Sequence, residues 1–295
     1  MSRPLAALTL LFCTMLWGFA FVAQKSAMDA MGPLTFSGTR FIIGGLLIVP
    51  LALRELRRTA SRPTARQWQL VALMCAVFFA GSILQQYGLM LTTVTNSGFL
   101  TGLYVFFVPV IGLVAARIVP HPIIWFCAPI ALLGIYLLNG GNFDSFNLGD
   151  ALIIACAVFW ALHVLLLGHL ATATGLPILL SVVTFLSVGI ISAVLAVPIE
   201  APDFASISNG WVQIAYSACF STAVAFTGQA IAQQYLPAAN AAIILSAESL
   251  FAALGGALIL GERLPPIGYL GAALIFLAIL LVETVPPLWA RRRVS

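Results

Sequence analysis

Ten stretches of about 20 nearly uncharged residues, separated by short punctuation, fill this 295-residue chain and restrict its fold more than any motif does. A backbone surrounded by hydrocarbon must satisfy its N–H and C=O groups internally, which for runs of this length means helix. Hydrophobic runs bounded by Pro, Gly and charge predict helices near residues 5–28, 33–53, 68–90, 94–117, 122–139, 148–171, 176–199, 211–234, 238–260 and 265–285. The tightest joins fall at Thr92 and Pro237, where polar Thr92, Thr93 and Thr95, or the proline, interrupt the run. Composition agrees: 62% of residues are hydrophobic and 7% charged, against roughly 25% charged in a soluble domain. Thirteen basic and nine acidic residues cannot clothe a water-facing surface, so a soluble fold is excluded. The first run, Leu5 to Ala23, is longer than a signal-peptide core and lacks a clear cleavage site, so it reads as the first span. The expected class is an all-α integral membrane protein with ten transmembrane helices and little chain outside the bilayer.

The net charge of +4 does not imply a nucleic-acid partner, because the arginines mark loops instead of a polar face. Arg54, Arg57, Arg58, Arg62 and Arg66 share one loop, Arg117 lies near another, and Arg291, Arg292 and Arg293 end the chain. With ten spans these and Arg3 fall on one side, which the positive-inside rule makes cytoplasmic, both termini included. The opposite loops hold Asp29, Asp144, Glu200 and Asp203, with Arg263 beside Glu262. Cys13, Cys75, Cys127, Cys156 and Cys219 all lie in apolar runs without a C-x-x-C pair or a metal-ligand set. Buried free thiols, no metal and no cofactor are expected.

The chain repeats itself. Trp17 and Trp160 differ by 143, as do Trp68 and Trp211, while Asn96 and Asn240, and Pro122 and Pro266, differ by 144. Residues 1–146 and 147–295 are therefore expected to be two copies of one five-helix unit. Five is odd, so the second copy enters from the opposite side and the halves form an inverted repeat. The offset carries Gly98 and Gly102, a G-x-x-x-G pair, onto Ala242 and Ser246, so both halves have a small-residue face for close helix approach.

Polar groups at membrane depth need a reason, since a central charge costs roughly 2.5–3.5 kcal/mol on the insertion scale. Glu248 falls near the middle of the ninth span and His163 near the middle of the sixth. An offset of 144 sets Tyr104 opposite Glu248 and Gln85 opposite Gln229, so Tyr104 and Glu248 are expected to face the pseudo-two-fold axis. Trp17, Gln85, Tyr104, Trp160, His163 and Glu248 are the candidate substrate-binding residues, aromatic walls with a few polar groups suiting a small amphipathic ligand. Plainer readings stand beside these: Glu248 as a carboxyl joining helices, His163 bonded to a neighbouring carbonyl, Trp17 and Trp160 as packing. Trp68 and Trp211 fit interfacial belts, and Lys25 and Arg40, placed nearer span ends, fit snorkelling to headgroups or anion capture. Gly98, Gly102, Pro109, Ala242 and Ser246 are the candidate packing or hinge positions, Pro109 because it frees the carbonyl of Val105.

No H-E-x-x-H, P-loop, carboxylate dyad or Ser/His/Asp set occurs, so no catalytic residue is assigned. A charge-ringed channel is disfavoured by the scarcity of pore charges. A transporter fits best. Two rivals remain, the same fold carrying sugar phosphates or nucleotide sugars, and a membrane-embedded enzyme using Glu248 and His163 as acid and base.

The second half contains Leu236-Pro-Ala-Ala-Asn-Ala-Ala, Ala247-Glu248-Ser249-Leu-Phe-Ala-Ala-Leu and Leu260-Gly261-Glu262-Arg263, followed by Gly268, Gly271, Ala272 and Ile275. With Trp17-Gly18 and Pro109, this resembles the drug/metabolite transporter superfamily, EamA-type, over nearly the whole chain, and within it amino-acid exporters of the YddG kind. The resemblance implies two five-helix inverted halves and outward movement of amino acids, aromatic ones included, across the bacterial inner membrane. The partners it implies are a small-molecule substrate and the lipid bilayer, with no obligate protein partner. The family pattern commonly has Pro after the Glu248 position; Ser249 stands here, which predicts a straighter ninth span. The first half has Tyr104 where the second has the acid, so shape is expected to be more symmetric than chemistry.

Overall fold

The computed structural model describes residues 1–59, 62–138, 140–141, 147–263 and 265–292. Asp144, Arg293, residue 139 at the expected end of the fifth span, and residue 146 at the expected boundary between halves lie outside them. The first three spans are α1 (Arg3–Ala27), α2 (Pro33–Arg58) and α3 (Ala65–Leu91). The fourth is two helices, α4 (Val94–Thr101) and α5 (Tyr104–Ala116), and the fifth is α6 (Ile124–Leu138). The sixth and seventh are α7 (Leu148–Thr174) and α8 (Pro177–Glu200), after which a short surface helix, α9 (Phe204–Asn209), leads on. The eighth runs from α10 (Trp211–Tyr216) through a π-helical stretch (Ser217–Phe226) to α11 (Thr227–Ala232). The ninth is again broken, α12 (Ala238–Leu245) and α13 (Glu248–Leu260), and the tenth is α14 (Gly268–Arg292). Among the described residues nine spans are long and apolar enough to cross a membrane, and Ile124–Leu138 is a shorter tenth.

Local chemistry sets the helix ends. Thr64 with Gln67 and Asn147 with Asp150 form capping boxes, Pro33 and Pro177 open their helices, and Gly175 and Gly261 close theirs at φ 67° and 70°. Long-range carboxylates cap others. Glu55, near the end of α2, accepts from the backbone N–H groups of Ile178 and Leu179 (3.2 and 2.8 Å), while Glu200, at the end of α8, accepts from those of Leu34 and Thr35 (both 2.8 Å). Each helix thus caps the other's start, which makes α2 and α8 an antiparallel pair, one from each half. Arg3 pairs with Glu283 (Nε to Oε2, 3.3 Å), tying the start of the first span to the end of the tenth on one face.

The two broken spans share one geometry. In the fourth, the N–H groups of Leu103, Val105 and Phe106 donate three residues back, to Leu100, Gly102 and Leu103 (3.2, 3.1 and 3.0 Å). In the ninth, those of Ala247, Ser249 and Leu250 do the same to Ile244, Ser246 and Ala247 (3.2, 3.2 and 3.0 Å), 144 residues on in every case. A single tightened turn inside a helix is a recurring hinge geometry. The ninth span is therefore not straighter for lacking a proline. Its break comes from a change of hydrogen-bond register, and the N–H that proline would remove is used. Ser249 adds a bond from its Oγ to the carbonyl of Gly98 (2.8 Å), joining the ninth span to the fourth.

Candidate functional site

The small residues read from the repeat lie at this junction. A Cβ on Gly98 would stand 2.5 Å from Ala252 Cβ, and one on Gly102 would stand 2.7 Å from Ser249 Oγ. Gly18 is as confined: a Cβ there would lie 2.2–2.7 Å from Phe251 Cβ and the backbone of residues 251 and 252. The first, fourth and ninth spans therefore meet backbone to backbone. Ala242 and Ser246 are fully buried in the ninth span. Pro109 lies beyond the break at Gly102–Leu103, on the wall of a separate vestibule.

Inside this junction is a narrow central cavity of about 40 Å³, and Trp17, Gln85, Tyr104, Trp160, His163 and Glu248 all line it. They come from the first, third, fourth, sixth and ninth spans. Tyr104 and Glu248 are the first residues after the two breaks, and Tyr104 Oη donates to Glu248 Oε2 at 3.4 Å. That separation is long for an O–H···O bond, so the contact is weak and exchangeable. Gln85 Nε2 donates to Thr101 Oγ1 (3.2 Å), and Trp17 Nε1 donates to the carbonyl of Ser221 (3.1 Å) in the π-helical stretch.

An aromatic cluster forms one wall. Phe226 lies 4.6 Å from Trp17 and 5.8 Å from Trp160, centroid to centroid, and Phe78 packs edge-on against Trp160 (5.1 Å) and His163 (5.0 Å). Phe226, Gln24, Thr101, Ser221, Gln229 and Arg40 complete the lining together with the two aliphatic residues Val164 and Leu245. Phe226 carried no sequence signal, being one of 20 phenylalanines. Arg40 did carry one: it stands seven residues inside α2, about 10 Å along the axis at 1.5 Å per residue. The position nearer one end of the span stands, and what is corrected is the reading that it snorkels to headgroups, since it lines the cavity instead. Its side chain is 3% exposed and its guanidinium lies over the rings of Phe36 and Phe41, 5.1 and 4.4 Å from their centroids.

Lys25 goes elsewhere. Its Nζ donates to the carbonyls of Leu89, Met90 and Thr92 (2.8, 3.1 and 3.0 Å), capping the end of α3 instead of snorkelling to headgroups. It is joined on that side by Glu262, which accepts from the N–H groups of Val94 and Thr95 (both 3.0 Å), and by Asp150, which accepts from Thr92 Oγ1 (2.9 Å) and from Asn96. Polar clasps thus join the first span to the third, the ninth to the fourth and the sixth to both.

On the side of the chain termini, a wider vestibule of about 1550 Å³, counting its mouth, opens between the ends of α5 and α7 and the join of the eighth and ninth spans. It is separated from the central cavity by a seam in which Gln233 Nε2, on the vestibule wall, donates to the carbonyl of Val164 (3.0 Å), on the cavity wall. Around the cavity, Gln24 Oε1, Arg40 Nε, Trp160 Nε1, His163 Nδ1 and Gln229 Oε1 are buried without a hydrogen-bond partner among the described residues. Buried polar atoms are normally satisfied, so these five are open to a polar ligand or water, as are ten more buried polar atoms elsewhere among the described residues. Among the described residues no cluster of His, Cys, Asp and Glu is placed to hold a metal.

Comparison with known proteins accords with this architecture. The EamA-like transporter family matches residues 4–140 and again residues 147–284. An uncharacterised transporter of Archaeoglobus fulgidus is 31% identical over 284 residues, covering 96% of this chain and 87% of that protein. An S-adenosylmethionine/S-adenosylhomocysteine transporter of Chlamydia muridarum is 27% identical over 100 residues, 34% of this chain and 31% of that protein. A crystal structure with 19% identity superposes with a TM-score of 0.77 over 100% of both chains, which shows the shared fold.

Proposed function

Given that the chain belongs to the EamA-like transporter family, we propose that it exports small metabolites, amino acids including aromatic ones foremost, across the bacterial inner membrane by alternating access. The carrying observation is the central cavity itself, in which aromatic walls and unpartnered polar atoms meet beside two matched helix breaks. Cargo would rest its apolar part on Trp17, Trp160 and Phe226 and its polar part on Gln85, His163 and Glu248. The vestibule on the termini side, cytoplasmic by the arginine distribution, is the entrance, and the clasps at Lys25, Glu262 and Asp150 hold the outer side shut. The breaks at Gly102–Leu103 and Ser246–Ala247 are the hinges about which the halves rock.

The sugar-phosphate reading needs several cations at the site, and Lys25 is occupied by three carbonyls. Flux of a panel of labelled amino acids out of reconstituted vesicles tests the export reading. Saturable efflux of large neutral members supports it; a panel without any protein-dependent flux refutes it.

A further inference from the structure

Arg40 and Glu248, a base and an acid, line the same cavity without pairing with one another. Among the described residues the ion pair present is Arg3–Glu283, and neither cavity residue belongs to it. Both are deeply buried, at 3% and 9% exposure. Burying a charge without a partner is costly, and the faces of Phe36 and Phe41 recover only part of that cost for a guanidinium. The contrast with Lys25 is informative: that cation serves structure and is satisfied by three carbonyls, whereas Arg40 Nε has no acceptor among the described residues. Among the described residues Glu248 has one long bond, from Tyr104.

We propose that Arg40 recognises the carboxylate of the cargo while Glu248 recognises its ammonium, so that the pair restricts transport to zwitterions bearing both groups. The proposal rests on the export reading and deepens it to the residues that set specificity. A guanidinium presents planar paired donors to a carboxylate, and a carboxylate accepts from an ammonium. Cargo with both groups leaves every charge in the cavity compensated. Cargo with one leaves either Arg40 or Glu248 without a charged partner, and a phosphate dianion exceeds the charge of Arg40 and is repelled by Glu248. The aromatic wall then accepts side chains of varied shape, so selection acts on the charged ends and tolerance on the rest.

The test is competition in proteoliposome counterflow. Phenylalanine and leucine are each compared with their amides, which lack the carboxylate, and with their deaminated acids, which lack the ammonium. In the wild type both analogues are expected to compete at least about tenfold more weakly than the parent, the effect of losing one charge-assisted bond. Arg40→Gln is expected to erase discrimination between parent and amide, and Arg40→Lys to keep part of it. These are ratios within one preparation, so they do not depend on expression level, and the wild-type series stands alone should Arg40→Gln fail to fold. Amides competing as well as their parents in the wild type, or undiminished discrimination in Arg40→Gln, would overturn the proposal. Failure of the export reading has a different signature, an absence of exchange for every compound, and it removes the proposal as well.

Discussion

Tyr104 and Glu248 are separated by 144 residues in sequence and touch in space, Oη to Oε2 at 3.4 Å. That separation is the repeat offset read from Asn96 and Asn240. Residues exchanged by a two-fold axis can meet only near the axis, so this contact marks where the axis between the two inverted halves passes. Both residues directly follow a helix break, so the centre of the cavity lies beside the proposed hinges.

Because that contact is long, its loss should disturb binding more than folding. Tyr104→Phe is expected to lower stability by no more than about 1 kcal/mol, the net value of an ordinary hydrogen bond. The apparent KM for cargo should rise several-fold with little change in kcat. Thermal unfolding in detergent and counterflow kinetics on the same preparation check this together.

Lys25 should show the reverse pattern. Removing its ammonium leaves the carbonyls of Leu89, Met90 and Thr92 without their donor. Lys25→Met is expected to cost about 1.5–3 kcal/mol, the range for hydrogen bonds to a charged group. Cargo KM should be unaffected, since Lys25 is not in the lining of the cavity. A melting curve against wild type reads the first expectation and substrate titration the second.

Gly18 reports on the meeting of the first and ninth spans. A branched side chain there has no space against Phe251 and Ala252, so Gly18→Val is expected to cost about 1–3 kcal/mol or more by overpacking. The readout is loss of monodisperse protein on size exclusion, with Gly175→Ala as a comparison in which a Cβ meets nothing within 4 Å, although its φ of 67° adds local strain.

The seam between vestibule and cavity predicts a change in rate. Gln233→Ala removes the bond to the Val164 carbonyl and should speed exchange from the termini side with little loss of affinity. Initial counterflow rates at saturating and subsaturating cargo separate the two effects.

Much of the scaffold was legible because hydrocarbon leaves a chain few choices: apolar run length located the spans, and residue spacing exposed the repeat. Five of the six candidate residues came from the repeat offset and His163 from its depth in the sixth span, and all six line one cavity. Arg40 was read towards the headgroups because it lies nearer a span end, although two helical turns carry a side chain well below them. The carbonyl cap at Lys25 depends on where the third span ends relative to the first, a long-range relation invisible in either segment alone. Phe226 and the π-helical winding before it left no mark, since phenylalanine is abundant and nothing in Ser217–Phe226 forbids an ordinary helix.

The most direct measurement of the central claim is counterflow into proteoliposomes loaded with unlabelled amino acids, comparing wild type with Glu248→Gln and Trp160→Ala. Transient accumulation of labelled aromatic or large neutral amino acids in the wild type, reduced at least about tenfold in both variants while their folding is preserved, is the predicted result. Full accumulation by both variants would contradict the placement of cargo in this cavity.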